Sequence, residues 1–181
     1  DKPGQGVLNT KLHSDGTYAE KLALISPGSH SGYHNRHIPE AVDYGYDHNT
    51  DLGGTFVTQK MLDDGLCFPT MDGQFVFKMA IQKFPEVIQE ALHQAGLQVS
   101  DINMFIPHQA NLRISQMVQR LLRLPDERIW NNIQKYGNTT AASIPIALCE
   151  AWEAGKVKEG DLVALAAFGS GFTWGAALIR W

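Results

Sequence analysis

His108 lies where a strand-like run gives way to a helical pattern, a position that suits a side chain acting in a cleft. The mainly apolar residues 102–106 predict a buried strand, Pro107 restrains the backbone after it, and a helical pattern begins after Asn111. Asn111 can cap that helix by accepting from its free backbone amides. The His108 imidazole is then available for chemistry, and its neutral form carries one N–H donor.

Two further stretches could bring hydrogen-bond donors to the same place. Gly137 predicts a turn that delivers Asn138 to the start of another helix, where free amides gather. Gly169 and Gly171 flank Ser170 and predict a tight turn with exposed backbone amides. An imidazole, a carboxamide and free amides together can stabilise a developing oxyanion.

Three motifs occur in a fixed order along the chain. They are Ile106-Pro107-His108-Gln109-Ala110-Asn111-Leu112-Arg113, Gly137-Asn138-Thr139-Thr140-Ala141-Ala142-Ser143 and Gly171-Phe172-Thr173-Trp174-Gly175. Together they resemble β-ketoacyl-acyl-carrier-protein synthase III, the initiating condensing enzyme of fatty acid synthesis. The resemblance covers residues 75–181, and residues 6–18 resemble an earlier segment. It implies a thiolase-like α/β fold with α-β-α-β-α layers, of which this chain is mainly the C-terminal half plus the last strand of the N-terminal half.

The resemblance also implies an activity and residue roles. The reaction is a decarboxylating Claisen condensation between an acyl group from acyl-CoA and malonyl-acyl-carrier protein. His108 and Asn138 match the two donors to the malonyl thioester oxygen. Ser170 matches the residue whose backbone amide completes the acyl-thioester oxyanion hole, where many members have glycine. Phe77 and Asn111 match positions near the channel of the pantetheine arm.

Three basic residues match those that dock acyl carrier protein beside the active-site entrance, namely Lys78, Arg113 and Arg120. Carrier proteins are acidic, so a basic patch on a chain with a net charge of −4 is a candidate docking surface. From the residues alone, arginines on one helical face are more simply explained by exposure to solvent. The resemblance further implies a homodimer, with acyl-CoA and malonyl-acyl-carrier protein as substrates and neither a cofactor nor a metal.

The nucleophilic cysteine of the resembled enzymes has no counterpart in this sequence. Cys67 follows acidic residues and Cys149 directly precedes Glu150, and negative neighbours raise a thiol pKa. We therefore interpret both as passive thiols. The chain begins at Asp1 without methionine, in a polar stretch rich in glycine and proline. We expect the cysteine on an N-terminal part of the same enzyme.

Two classes of function remain open from the sequence. The first is the condensing acyltransferase, either of fatty acid synthesis or of a secondary-metabolite pathway of the quinolone or polyketide type, since such synthases share these motifs. The second is a non-catalytic subunit or fragment that binds carrier protein. Taken alone, His108 would more often be structural and Asn138 more often a helix cap.

Composition narrows the classes of protein further. A net charge of −4 argues against a nucleic-acid binder, which needs a basic field to neutralise phosphates. The longest uncharged apolar run, residues 162–168, is too short to span a bilayer. Two cysteines in unrelated contexts indicate reduced thiols, so we expect a cytoplasmic protein.

The chain divides into three predicted segments. They are residues 1–25 (the last strand of the N-terminal half and the short segment after that strand), 26–71 (an extended loop or insertion) and 72–181 (the C-terminal half). In the middle segment, His30, His34 and His37 have a spacing that one helical face could use for a metal, but the nearby glycines and Pro39 argue against that helix. We predict a lid or a subunit contact there.

Periodicity predicts the secondary structure. Strands are expected at 7–13, 102–106, 129–133, 161–168 and 172–181, and helices at 75–95, 112–124 and 141–155. Pro85 should kink or split the first helix, and the last two strands should form a hairpin. Leu121 and Trp152 are expected to face the core. The order indicates a mixed α/β layer.

Overall fold

The computed structural model describes residues 4–24, 62–65 and 67–181. The strands are β1 (Gly6–Ser14), β2 (Leu22–Ala23), β3 (Thr70–Met71), β4 (Met104–Pro107), β5 (Leu162–Gly169) and β6 (Thr173–Arg180). The α-helices are α1 (Gly73–Gln94), α2 (Leu112–Leu122), α3 (Ile133–Tyr136) and α4 (Ser143–Glu153). None of these helices is long and apolar enough to cross a bilayer.

Four strands form the main sheet in the order β1-β6-β5-β4. β5 and β6 form the expected hairpin, with Leu162 opposite Arg180 and Gly169 opposite Thr173. β4 pairs with β5 in parallel, and β1 pairs with β6 antiparallel. The first predicted strand is therefore an edge strand of the same sheet as the C-terminal strands.

The two faces of the sheet carry different apolar clusters, because successive side chains of a strand point to opposite sides. Phe105 packs in the larger cluster, with buried residues of α1 and α2. Its neighbours Met104 and Ile106 pack on the other side, where α4 contributes Ala147 and Ala151. The sheet thus lies between two helical layers, as the α/β pattern predicts.

The long helix α1 is continuous in spite of Pro85. The prediction of a split at this position is wrong. The residues around it, Phe84, Val87 and Ile88, are buried in the larger cluster, and their packing holds the helix together where one backbone hydrogen bond is lost. Asp72 caps the start of the helix: its carboxylate accepts from the Phe75 amide (3.1 Å).

Three other local predictions are wrong. Residues 129–133 do not form a strand: Ile129 makes a single bridge to Phe105, and Ile133 starts α3. Leu121 is 52% exposed and Trp152 is 55% exposed, so neither faces the core. Each of the last two sits beside the buried stripe of its helix, where a small error in the helical phase turns a residue outward.

The segment predicted as an extended loop, 26–71, lies mostly outside the described residues, and His30, His34 and His37 lie wholly outside them. Its last two residues belong to β3, which pairs with β2.

The turn after β1 is joined to the turn of the β5–β6 hairpin. The Phe172 amide donates to the Asp15 carbonyl (2.6 Å), and the Asp15 amide donates to the Phe172 carbonyl (2.8 Å). Phe172 is fully buried and packs against Phe168, with ring centroids 4.9 Å apart. The hairpin turn is therefore anchored both by its backbone and by an aromatic side chain.

Gly175 lets β1 approach β6 closely. A Cβ at this position would lie 2.8 Å from the Lys11 carbonyl oxygen and 2.6 Å from the Leu12 side chain. We predict that Gly175→Ala lowers the free energy of unfolding by about 1–3 kcal/mol, because backbone atoms must move apart. Chemical denaturation measures this, with Gly169→Ala as the control, since a Cβ there meets nothing within 4 Å. Equal losses in the two variants would contradict the interpretation.

Candidate active site

A cavity of about 1000 Å³ lies on the face of the sheet that α4 covers in part. His108, Asn138 and Ser170 all line it, although they come from three separate parts of the chain. Its apolar wall includes Leu165 and Ala177, which are opposite one another on β5 and β6. The structure therefore brings the three predicted polar residues to one space.

His108 follows β4 directly, and its backbone amide continues the parallel ladder by donating to the Ala166 carbonyl (2.8 Å). Its Nδ1 lies 2.6 Å from the Ser143 hydroxyl oxygen. Among the residues that the structure describes, no protein group bonds Nε2, so this nitrogen is available for another partner. Burial lowers the pKa of His108 below its ordinary value, which favours the neutral imidazole.

Asn138 is both a cap-like residue and a candidate donor. Its Oδ1 accepts from the Thr140 amide (2.9 Å), which closes a turn before the short 3-10 helix Thr140–Ala142. The contact occupies the oxygen of the carboxamide and leaves Nδ2 without a partner in the described part of the chain. The two interpretations are compatible, because capping by the oxygen sets the direction of the N–H bonds.

Ser170 lies in the turn between β5 and β6, at the edge of the cavity. Its carbonyl accepts from the Thr173 hydroxyl (3.0 Å). The hydroxymethyl side chain is exposed.

The other predicted site residues do not line this cavity: Phe77, Asn111, Lys78, Arg113 and Arg120. Phe77 is half-buried against the larger apolar cluster. The Asn111 side chain caps α2 by accepting from the Arg113 amide (2.9 Å), as predicted from the sequence. The three basic side chains are exposed. The assignment of Phe77 and Asn111 to the pantetheine arm stays a prediction, as does the assignment of the three basic residues to carrier-protein docking.

Gln109 is a site residue that sequence reasoning missed. It is 2% exposed, and its carboxamide oxygen accepts from the amides of Asn132 (3.0 Å) and Ile133 (3.2 Å). Its Nε2 donates to the carbonyls of Pro107 (2.8 Å) and Trp130 (3.4 Å). All four hydrogen-bonding positions of the carboxamide are occupied. Its position directly after a buried strand and His108 was the available signal.

Glu150 completes this connection from α4. It accepts from Asn132 Nδ2 (2.7 Å), Lys135 Nζ (2.7 Å) and the Tyr136 hydroxyl (2.6 Å). These hydrogen bonds lower the pKa of Glu150 to about 2, and the partner carboxylate raises the pKa of Lys135. The segment held in this way runs directly into Gly137 and Asn138.

Neither described cysteine lines the cavity. Cys149 is exposed on α4, where the Glu153 carboxylate raises the pKa of its thiol. Cys67 is half-buried. The pKa direction agrees with the interpretation of Cys149 as a passive thiol. Over residues 4–24, 62–65 and 67–181, no three metal-ligating side chains form a group that could hold an ion.

The fold matches solved condensing enzymes. The structure of β-ketoacyl-acyl-carrier-protein synthase III from Thermus thermophilus superimposes with a TM-score of 0.76 at 37% identity, covering 99% of this chain and 47% of that chain. The priming β-ketosynthase of the R1128 polyketide biosynthetic pathway gives a TM-score of 0.69 at 26% identity, covering 96% and 44%. The chain has the thiolase-like α/β fold of condensing enzymes.

Sequence comparison defines the family within that class. The family described as 3-oxoacyl-[acyl-carrier-protein] synthase III C terminal matches residues 92–181. The β-ketoacyl-[acyl-carrier-protein] synthase III of Alkalilimnicola ehrlichii is 40% identical over 176 residues, which cover 97% of this chain and 46% of that relative. Residues 92–181 therefore match the synthase III C-terminal family, and the resemblance inferred from the three motifs is confirmed. The chain spans less than half the length of this relative.

Gln109 should be important for stability. We predict that Gln109→Met lowers the free energy of unfolding by about 2–4 kcal/mol, because two buried amides lose their acceptor. Gln82→Met is the matched control, since Gln82 is exposed and, among the described residues, bonds only Glu86 (3.0 Å). It should change stability by less than about 0.5 kcal/mol. Denaturation of both variants measures the difference, and similar losses would contradict the role assigned to Gln109.

The Glu150 cluster should make stability depend on pH in the acid range. A carboxylate whose pKa is lowered by folding stabilises the native state above its ordinary pKa of 4.5, and that contribution is lost as the pH falls through about 2. We predict that Glu150→Gln lowers stability at neutral pH and that the difference from wild type shrinks from pH 4.5 downward. Thermal melts across this range measure it. Glu153→Gln, on the same helix, should leave the acid profile close to wild type; a constant difference for Glu150→Gln at every pH would contradict the prediction.

Proposed function

We propose that this chain supplies the decarboxylation donors of a condensing acyltransferase of fatty acid biosynthesis, which joins an acyl group from acyl-CoA to malonyl-acyl-carrier protein. The observation that carries the proposal is that His108 and Asn138 line one cavity, each with a side-chain nitrogen that no group in the described part of the chain bonds. The close relatives named as synthase III enzymes support the same reaction class.

Decarboxylation of a malonyl thioester requires hydrogen-bond donors that are electrically neutral. Loss of CO2 from a malonyl thioester leaves an enolate whose charge lies largely on the thioester oxygen. His108 Nε2–H and Asn138 Nδ2–H would stabilise that oxygen without protonating the carbanion. The lowered pKa of His108 suits this role, because an imidazolium would be a stronger acid. The backbone amide at Ser170 would serve the acyl thioester.

The nucleophilic cysteine would come from an N-terminal part of the same enzyme. Two observations support this. Neither Cys67 nor Cys149 lines the cavity, and the apolar side chain of Leu12, on its wall, is 82% exposed. A second half of the enzyme packed over this face would bury Leu12 and bring a thiolate to the substrate. A homodimer in the cytoplasm is part of the same proposal.

Acyl carrier protein is the proposed macromolecular partner. Arg113 and Arg120 are exposed on one face of α2, and Lys78 is exposed on α1, which packs in the same apolar cluster. Beside Arg120, Leu121 is 52% exposed and adds an apolar contact to a basic surface. Such a surface suits an acidic helical partner. Phe77 and Asn111 would contact the pantetheine arm as that partner delivers its substrate.

A second candidate is the same condensation in a secondary-metabolite pathway. The likeness to the R1128 priming β-ketosynthase favours it. A non-catalytic carrier-binding subunit is the remaining alternative, and it predicts carrier binding without decarboxylation.

The test is malonyl-acyl-carrier-protein decarboxylation by the full-length enzyme that contains this chain. We expect His108→Ala and Asn138→Ala each to reduce the rate by about a hundredfold or more, by removal of one oxyanion donor. His93→Ala is the matched control, because His93 is exposed near the end of α1 and does not line the cavity. Equal rates in all three variants would remove the catalytic proposal, and carrier binding with no wild-type decarboxylation would favour the non-catalytic subunit.

A further inference from the structure

Ser143 is the buried partner of His108. It is the first residue of α4, and it is 2% exposed. Its hydroxyl oxygen has two partners in the described part of the chain: His108 Nδ1 at 2.6 Å and the Gln109 backbone amide at 3.2 Å. Sequence reasoning assigned no role to Ser143.

The protons available on Ser143, His108 and the Gln109 amide determine which group donates in the Ser143–His108 hydrogen bond. The Gln109 amide can only donate, so the serine oxygen accepts from it. If His108 carried its proton on Nδ1, the serine oxygen would accept a second hydrogen bond and its own O–H would need another acceptor. The described residues place no such acceptor within hydrogen-bond distance. A buried hydroxyl left without an acceptor is costly.

If Ser143 donates to His108 instead, every donor and acceptor in the contact has a partner. The serine O–H donates to an unprotonated Nδ1, and the serine oxygen accepts from the Gln109 amide. The proton of the neutral imidazole is then on Nε2, the nitrogen that no described protein group occupies.

We propose that Ser143 is a positioning residue that holds His108 in the Nε2–H tautomer, so that the ring presents a donor to the cavity. The proposal rests on the proposed function for its catalytic consequence, although the tautomer itself does not. Serine suits the position because one hydroxyl can accept from a fixed amide and donate to the imidazole at the same time.

The elements around Ser143 keep the hydroxyl in place. α4 is held to β4 by Ala147 and Ala151, which pack against Met104 and Ile106. His108 follows the last residue of that same strand. Serine and imidazole are therefore attached to two elements that share one apolar cluster, and their separation does not depend on an exposed loop.

The tautomer can be measured without any assay of activity. In the full-length enzyme labelled with 15N-histidine, and assigned with His108→Gln, we expect wild-type His108 to show a pyridine-type signal for Nδ1 and a pyrrole-type signal for Nε2 at neutral pH. A dominant Nδ1–H form in the wild type would overturn the proposal. This experiment needs no folded Ser143 variant.

Variants then test the link to catalysis. In Ser143→Ala we expect the Nδ1–H form to appear and kcat for malonyl decarboxylation to fall about tenfold with little change in KM, as for the loss of one hydrogen bond. Ser143→Cys, whose thiol is a weaker donor, should lie between alanine and wild type. Cys149→Ala is the control: Cys149 is exposed on the same helix and does not line the cavity, so this variant should preserve both the tautomer and the rate. A Ser143→Ala enzyme with wild-type tautomer and rate would overturn the proposal.

The outcomes separate this proposal from the proposed function. If wild-type His108 is in the Nε2–H form and Ser143→Ala shifts it, the positioning role stands even where His108→Ala decarboxylates at the wild-type rate. That last result would count against the decarboxylation role alone.

Discussion

The buried carboxamide of Gln109 is the interaction on which the candidate site depends. Its oxygen accepts from the amides of Asn132 and Ile133 at the start of α3. Its nitrogen donates to the carbonyls of Pro107, the last residue of β4, and Trp130, which precedes α3. His108 precedes it directly in the sequence, and α3 leads into Asn138. The candidate donors His108 and Asn138 are far apart along the chain, yet the positions of both depend on this one rigid group. Because that group is buried and fully bonded, displacing either loop would leave polar atoms unsatisfied in an apolar interior.

The remaining contacts extend this arrangement from neighbouring elements. Glu150 ties α3 to α4 by three charge-assisted or hydroxyl hydrogen bonds, and Ser143, on the same helix, contacts His108. α4 thus holds both sides of the site. The helix itself is fixed by apolar packing on the sheet. Preorganised donors of this kind are effective because they do not have to reorient when charge develops on a substrate.

Much of the fold follows from local patterns. The buried runs at β4, β5 and β6, the cap at Asn111 and the hairpin turn are consequences of residue type and spacing, and the structure has them. The errors arise where tertiary contacts decide. Pro85 does not break α1, because buried neighbours compensate for the lost hydrogen bond. Residues 129–133 do not form a strand, because the amides of Asn132 and Ile133 donate to the Gln109 side chain instead of to a neighbouring strand.

For the site, the motifs pointed to the candidate donors but not to the residues that hold them in place. His108, Asn138 and Ser170 meet in one cavity, whereas the roles of Gln109 and Ser143 depend on partners that are distant in sequence. A glutamine and a serine inside a motif have many structural explanations, and only the atoms around them distinguish one from another. The orientation of a hydroxyl proton is even harder to predict from the sequence, since it depends on every donor and acceptor within hydrogen-bond distance.

The reciprocal backbone pair between Asp15 and Phe172 has a consequence for how the cavity responds to its contents. One rim of the cavity is fixed to the edge of the sheet by two short backbone hydrogen bonds and by the buried Phe172 ring. This rim is therefore rigid and does not act as a hinged flap. Any widening needed for a bulkier guest would have to come from the other walls of the cavity. Selection by size would then depend on those walls, while this rim keeps its position.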